Sequence, residues 1–186
     1  MLSITREDSL SLLKEYTKSE SLIKHALSVE AAMKYYAKEF NEDEHLWATT
    51  GLLHDFDYEQ YPSVEEHPFV GCKILKEKGY PETMTTAILG HATYSGVPRE
   101  SQMAKCLFAV DELCGMVMAA TLVRPDKSIA ELSVKSVKKK LKDKRFAQGV
   151  NREDVMLGVK ELEVELDQHI ANVIAAMQTI AAELGV

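Results

Sequence analysis

The chain has 186 residues, of which 46% are hydrophobic and 27% are charged, and its formal net charge is −7. This length and composition are typical of one well-packed globular domain, so we expect a single domain over residues 1–186. The negative balance argues against a general nucleic-acid binder, because phosphate backbones are bound by clustered Lys and Arg.

Helical periodicity runs through nearly the whole chain, and no stretch alternates apolar and polar residues between hairpin turns. The predicted fold class is therefore all-α. Thr5 or Ser9 starts a short first helix, and Ser19 caps a long second helix over residues 20–40. His25 shares a three- and four-residue spacing with the apolar side chains of that helix, which places it on the inward stripe.

The third predicted helix carries an adjacent His and Asp at its end. Asn41 or Asp43 opens this helix, and its final turn delivers His54 and Asp55. Residues 56–66 contain a proline and many polar side chains, which indicates a loop. Two adjacent residues at a helix end can both point inward, so the pair is a candidate functional site.

Two shorter helices and one long helix are predicted next. His67 opens a helix that Gly79 closes, and Pro81 starts another that ends at His91. A polar loop then leads to a long helix over residues 101–123. The two histidines therefore lie at opposite helix ends.

The C-terminal third is predicted to be helical as well. Residues 128–144 form a short basic stretch, for which a solvated helix face is the preferred interpretation. Asn151 and Asp154 can cap a last helix that continues to residue 184, with Gly158 as its weak point.

The cysteine content and the hydropathy of the sequence indicate the cellular compartment of the protein. Cys72, Cys106 and Cys114 are odd in number and show no CxxC spacing, so we expect reduced, buried thiols. No stretch of about twenty apolar residues is free of charge, so no membrane span is expected. Residues 1–16 lack the basic head and apolar core of a signal peptide. We therefore expect a cytoplasmic protein.

Asp111 is the most informative single residue, because it lies in the otherwise apolar run 106–123. Burying a bare carboxylate is costly, so a buried aspartate usually faces a cation or hydrogen-bond donors. Further candidate ligands precede it along the chain, and they are His25, His54, Asp55, His67 and His91. Imidazole and carboxylate groups suit divalent Mn, Fe, Zn, Ni or Mg, of which we favour Mn or Fe.

Six candidate ligands exceed one tetrahedral shell, so we predict a binuclear centre. Asp55 is predicted to bridge two ions. The other ligands form a first set, His25, His54 and Asp111, and a second set, His67 and His91. Two ions roughly 3.5–4 Å apart can activate a water molecule and clamp a phosphoryl group.

The order of these residues resembles the HD-domain superfamily, a group of helical metal-dependent phosphohydrolases named for a His-Asp pair. The resemblance covers roughly residues 20–125. The segments EHPFVGCKIL around His67 and ILGHATYSGVP around His91 look like the additional histidine segments of branches that bind two metals. Asp111 stands in the place of the family's final aspartate. The resemblance implies a single helical bundle, with a metal-binding core at about 20–125 and helices 126–186 packed on it.

The resemblance also implies an activity. We expect a phosphatase or phosphodiesterase that attacks a small phosphorylated compound, such as a nucleotide phosphomonoester or phosphodiester, with metal-activated hydroxide. Asp55 is then a catalytic residue that anchors the metals, and Asp57 or Glu59 handles protons. The helices at the two ends of the chain carry no candidate ligands and could form a homodimer interface. Neither a nucleic-acid nor a membrane partner is expected.

Departures from the better-known branches leave the substrate open. Residues 56–59 read Phe-Asp-Tyr-Glu, whereas alarmone hydrolases of the family have a Glu-Asp motif here. Tyr58 stands where certain one-metal nucleotidases have a glutamate. Residues 95–98 read Ser-Gly-Val-Pro, whereas the cyclic dinucleotide phosphodiesterases have Gly-Tyr-Pro.

Two alternatives to hydrolysis remain. A related helical fold holds two irons with the same ligand types, so a di-iron oxygenase is one alternative. A non-catalytic sensor that binds metal or nucleotide is the other. Arg99 follows His91 and could pair with a phosphate or be a plain surface residue. His45 and His169 have no place in the pattern and are interpreted as solvated.

Overall fold

The computed structural model describes residues 4–186. Within that range the chain forms only helices, turns and loops, which confirms the all-α prediction. The helices are α1 Arg6–Tyr16, α2 Glu20–Glu39, α3 Glu44–Leu53, α4 Phe69–Glu77, α5 Glu82–His91, α6 Gln102–Leu122, α7 Val134–Lys142, α8 Arg152–Leu162, α9 Leu166–Gln178 and α10 Ala181–Leu184, with a 3-10 turn Thr93–Ser95 after α5.

The long helix α6 lies at the centre of the fold. It contacts α2, α3, α5, α7, α8 and α9, and apolar side chains cover most of its circumference. A helix that is apolar nearly all round is buried, which is the pattern of residues 106–123. The helix α6 therefore carries Asp111 to the edge of the core, where its side chain is 18% exposed.

Side-chain caps start several of the helices. Thr5 and Asp8 form a reciprocal capping box at α1, in which the Thr5 hydroxyl accepts from the Asp8 N–H and the Asp8 carboxylate accepts from the Thr5 N–H. Asp43 caps α3 and Ser101 caps α6 through their side-chain oxygens. These bonds satisfy N–H groups that have no partner within the helix.

Cys72, Cys106 and Cys114 are free and buried, as predicted. No helix within residues 4–186 combines the length and the apolar character that crossing a membrane requires.

The C-terminal segment differs from its prediction. Residues 151–184 form three helices rather than one, so the prediction of a continuous helix was wrong. The first break falls at Glu163, whose left-handed backbone (φ 58°) ends α8. Gly158, predicted as the weak point, is a buried residue in the interior of α8.

Gly158 is required by a close helix crossing. A Cβ atom added at this position would lie 2.6 Å from the Cα atom of Ala109 in α6 and 3.1 Å from its Cβ atom. The first distance is well below van der Waals contact and involves backbone, which cannot rotate away. The glycine therefore lets α8 approach α6 two residues before Asp111.

His169 was predicted to be solvated, and this prediction was wrong. The residue is fully buried in α9. Its Nε2–H donates to the Ala109 carbonyl at 2.9 Å, so Nδ1 accepts from the Tyr36 hydroxyl at 2.5 Å. The ring thus links α9 to α6 and α2. His45, which had the same interpretation, is exposed.

We predict that Gly158→Ala destabilises the protein. Alanine normally favours a helix interior over glycine by about 1 kcal/mol, but the steric conflict with Ala109 should reverse this sign. The expected loss is about 1–3 kcal/mol in the free energy of unfolding, measured by urea denaturation. Gly149→Ala is the control, because an added Cβ there meets nothing within 4 Å. Equal stability of the two variants would contradict the close crossing.

We also predict that His169 makes the protein less stable in acid. Burial lowers the pKa of His169, against a smaller opposing effect of its bond to Ala109. The unfolded chain therefore takes up a proton near pH 6.5 while the folded chain stays neutral, and stability falls as pH drops below that value.

The measurement compares wild type and His169→Gln by urea denaturation from pH 7.5 to 5 with a chelator present. The difference in unfolding free energy between them should shrink as pH falls. A constant difference for His169→Gln would show that the ring titrates normally.

Candidate metal centre

The His-Asp pair directly follows α3. His54 is fully buried, and its Nδ1–H donates to the Gly51 carbonyl at 2.7 Å. Because a carbonyl only accepts hydrogen bonds, this contact places the proton on Nδ1 and leaves a lone pair on Nε2. That Nε2 atom is buried without a hydrogen-bond partner, 3.5 Å from Asp55 and 3.4 Å from Asp111. It is an orphaned acceptor of the kind that a cation satisfies.

The Asp55 carboxylate lies at the centre of the cluster. Its Oδ1 atom is 3.2 Å from His67 Nε2 and 3.1 Å from His91 Nε2, and its Oδ2 atom faces His54. Oδ1 is itself buried without a hydrogen-bond partner. Carboxylate oxygens and imidazole lone pairs repel one another at these distances unless a positive charge lies between them. The donor set therefore fits bound divalent ions.

His67 and His91 are oriented by the same means as His54. The Nδ1–H of His91, at the end of α5, donates to the Ile88 carbonyl at 2.5 Å. The Nδ1–H of His67 donates to the buried Asp57 carboxylate at 2.8 Å, and Asp57 also accepts from the Gly71 N–H of α4 at 2.7 Å. Both Nε2 atoms are thereby directed at Asp55. Partners of this kind fix the tautomer and orientation of metal-binding histidines.

His25 and Asp111 form the remaining side of the cluster. His25, from α2, places its Nε2 atom 2.9 Å from Asp111 Oδ1, and its ring centroid lies 5.2 Å from that of His54. Both side chains are about one-fifth exposed, at 22% and 18%. This side of the centre is therefore accessible from solvent.

The structure brings all six predicted metal ligands together. Two sets have donor atoms within 4.8 Å of one another: His25, His54 and Asp55, and Asp55, His67 and His91. Asp55 belongs to both sets, and Asp111 adjoins the first through His25 and His54. The sets could therefore hold two ions with Asp55 between them.

The charges of the cluster shift several pKa values. Burial alone lowers the pKa of His67, but the neighbouring carboxylates of Asp55 and Asp57 outweigh burial and raise the pKa to about 9. Burial also opposes ionisation of His54, yet the charges of Asp55 and Asp111 hold its pKa well above the usual value. Protons and metal ions compete for these nitrogens, so metal binding should release protons.

Asp57 and Glu59, predicted to handle protons, lie outside the cavity beside the cluster. Asp57 is wholly buried against His67 and Gly71, so it can position His67 but cannot reach a substrate. Glu59 is exposed, and its Oε2 atom accepts from the N–H groups of Lys18 and Ser19 at 2.6 and 3.1 Å. Their geometry therefore does not fit the proton-transfer role.

Glu59 binds the backbone just before α2, where the sequence predicted a serine cap. Ser19 is the N-cap residue of α2, but its hydroxyl makes no capping bond. The Glu59 carboxylate lies at this helix start instead, where the helix dipole favours negative charge. It ties the loop after Asp55 to the helix that carries His25.

Arg99 was a candidate for phosphate binding, and the structure places it elsewhere. Its guanidinium forms a two-point ion pair with Glu161, at 2.6 and 2.8 Å, and lies over the Phe108 ring. It does not line the cavity beside the cluster. Tyr94, from the same loop, does line it, and its hydroxyl donates to the His67 carbonyl at 2.9 Å.

The cavity beside the cluster has a volume of about 790 Å³. Its lining includes three polar residues that sequence reasoning did not place in the site: Glu112, Asn151 and Asp154. Burial, and then the charge of Asp111, raise the pKa of Glu112 to about 7. In the sequence, the only feature that could have placed Glu112 at the cavity is its position next to Asp111. Asn151 and Asp154 could be recognised only as the start of a helix.

Comparison with known proteins identifies a family and a relative. The family described as HD domain matches residues 22–116, a range that includes all six candidate ligands. An uncharacterised protein of Methanocaldococcus jannaschii is 32% identical over a 99-residue alignment, and the alignment covers 50% of this chain and 57% of that protein. The chain thus spans little more than half the length of this relative. No solved structure matches the chain.

We predict that Asp57→Asn weakens metal binding by the second ligand set. An asparagine oxygen that accepts from Gly71 would turn its NH2 group toward His67, which favours the tautomer with the proton on Nε2. The expected loss in Mn²⁺ affinity is about 10- to 100-fold, measured by calorimetric titration. Glu59→Gln makes the same charge change outside the cavity and should bind like wild type. Unchanged binding by Asp57→Asn would contradict the positioning role.

Proposed function

Because the chain belongs to the HD-domain family, we propose that it is a metal-dependent phosphohydrolase that cleaves a phosphomonoester or phosphodiester of a small compound. The observation that carries the proposal is the position of Asp55. Its carboxylate lies between two sets of imidazoles and has a buried oxygen without a hydrogen-bond partner. A carboxylate in this position could serve both ligand sets if each held a divalent ion.

The chain's residues would hold and orient the reacting groups. Divalent ions bound by these side chains supply the charge that activates water and neutralises a phosphoryl group. Imidazoles fixed by Gly51, Asp57 and Ile88 keep the donor atoms in place without reorganisation. Asp111 and His25 lie at the solvent-accessible side, where substrate can approach.

The cavity supports a substrate of limited size. Its volume of about 790 Å³ lies within the range of roughly 300–1,000 Å³ that is usual for small-molecule sites. Thr93 and Tyr94 of the 3-10 turn line it beside His91, so the end of α5 and the turn that follows it form part of the wall. A small phosphate ester fits this space, whereas a folded macromolecule could present only a chain end.

The test is phosphate release by protein loaded anaerobically with Mn²⁺ or Fe²⁺, using p-nitrophenyl phosphate, bis-p-nitrophenyl phosphate and a panel of small phosphate esters. We expect saturable hydrolysis that persists without oxygen. A reaction that strictly requires oxygen would favour an oxygenase instead. Saturable binding without any turnover by the loaded protein would favour a sensor.

We predict that Asp55→Ala abolishes both metal binding and hydrolysis. The substitution removes the carboxylate that both ligand sets share, yet Asp55 follows α3 and its Oδ1 has no hydrogen-bond partner, so helical content should be retained. Metal analysis, phosphate release and circular dichroism measure the three quantities. Glu65→Ala, at an exposed position outside the cavity, is the matched control. Full activity of Asp55→Ala would exclude this mechanism.

A further inference from the structure

Two exposed tyrosine rings border the cavity beside the metal cluster. Tyr58, from the loop after Asp55, is 42% exposed, and Tyr94, from the 3-10 turn after α5, is 52% exposed. Both line the cavity, whereas Phe69, another exposed aromatic residue, does not. We call Tyr58 and Tyr94 the tyrosine pair.

Both members of the tyrosine pair are held by His67. The Tyr58 ring packs edge to face on the His67 imidazole, with 5.3 Å between the ring centroids and an angle of 82° between the planes. The Tyr94 hydroxyl donates to the His67 carbonyl at 2.9 Å. Because this bond uses the hydroxyl proton, the Tyr94 side chain offers mainly its ring to the cavity. A candidate metal ligand thus positions both rings.

The tyrosine pair lies close to the place where a phosphoryl group would bind. His67 Nε2 is 3.2 Å from Asp55 Oδ1, and Asp55 itself lines the cavity. That oxygen is buried without a hydrogen-bond partner, which points to a bound cation independently of the tyrosines. A phosphate ester held by ions at Asp55 would therefore have its alcohol portion beside the two rings.

The rest of the lining provides no cationic group for that alcohol portion. Among the residues that the structure describes, the cavity lining contains neither Lys nor Arg, and Leu22 and Ala92 add apolar surface to it. Small-molecule sites usually combine apolar and aromatic walls with a few polar groups that fix orientation. Here the ions would fix the phosphate, and the exposed rings would bind the uncharged part of the ester.

We propose that the tyrosine pair stacks on a planar aromatic ring of the substrate, so that the substrate is a phosphate ester whose alcohol carries such a ring. This inference rests on the proposed function, because the phosphate is placed at the metal cluster. Aromatic pairs in offset or edge-to-face contact are more favourable than their buried area alone accounts for. The ring belongs either to an aryl alcohol, joined directly to the phosphate, or to a nucleobase, joined through a sugar.

The experiment measures binding to Mn²⁺-loaded protein by calorimetry, with two pairs of phosphonates that cannot be hydrolysed. Benzylphosphonate and cyclohexylmethylphosphonate share a carbon skeleton and differ in aromaticity. The methylenephosphonate analogues of AMP and of ribose 5-phosphate differ in the base. We expect the aromatic member of at least one pair to bind at least about threefold more tightly, the size of a favourable aromatic contact. The first pair shows this preference for an aryl ring, and the second pair shows it for a nucleobase.

Variants test whether the tyrosine pair causes this preference. Tyr58→Leu and Tyr94→Leu keep apolar bulk but remove a ring, and each should bring the affinity ratio toward one. Tyr58→Phe retains the ring and should retain the preference. Phe69→Leu removes an exposed ring outside the cavity and should keep the wild-type ratio. Because each ratio compares two ligands on the same protein, a change in Mn²⁺ binding affects both affinities alike.

The outcomes separate this inference from the proposed function. Equal affinities within both pairs for wild type, or an undiminished preference in both leucine variants, would overturn the aromatic site alone. If none of the phosphonates binds the Mn²⁺-loaded protein, the phosphate site fails and the aromatic site fails with it.

Discussion

The candidate metal centre depends on a carboxylate that is surrounded by imidazole lone pairs. Asp55 faces the Nε2 atoms of His54, His67 and His91, each of which has its Nδ1 proton committed elsewhere. Such an arrangement is repulsive by itself and becomes favourable when protons or metal ions lie between the groups. The surrounding helices hold the donor atoms in place. In the proposed function, the cost of assembling the site is met during folding rather than during each catalytic cycle.

Two of the three imidazoles are held by the same local device at helix ends. His54 and His91 each donate a ring N–H to the carbonyl three residues earlier, Gly51 and Ile88 respectively. Carbonyls in the last turn of a helix lack partners within the helix, so the ring satisfies one of them while it orients its other nitrogen. His67 precedes its helix and has no such carbonyl. Asp57 provides the acceptor there instead.

Much of this arrangement was predictable from the sequence, because helix periods and helix ends are local properties. The positions of His54 and His91 at helix ends followed from apolar spacing and flanking Gly and Pro. The roles of Glu59 and His169 were not predictable, since each depends on a partner more than 39 residues away. For the same reason the sequence predicted Gly158 as the weak point of a helix, although it is the residue at which α8 packs closely on α6. The spacing of apolar residues identifies which side chains point inward, but it does not identify the residues that they contact.

The proposed function also explains how an acidic chain could bind a phosphate. A cavity lined by Asp55, Asp111, Glu112 and Asp154, with no Lys or Arg among its described residues, repels a phosphate dianion until divalent ions are bound. Attraction for the substrate must then come from the ions. Linkage is reciprocal, so a bound phosphate must in turn strengthen ion binding. Metal loading and substrate binding would therefore be a single coupled equilibrium, in which the ions replace the basic side chains that phosphate sites usually contain.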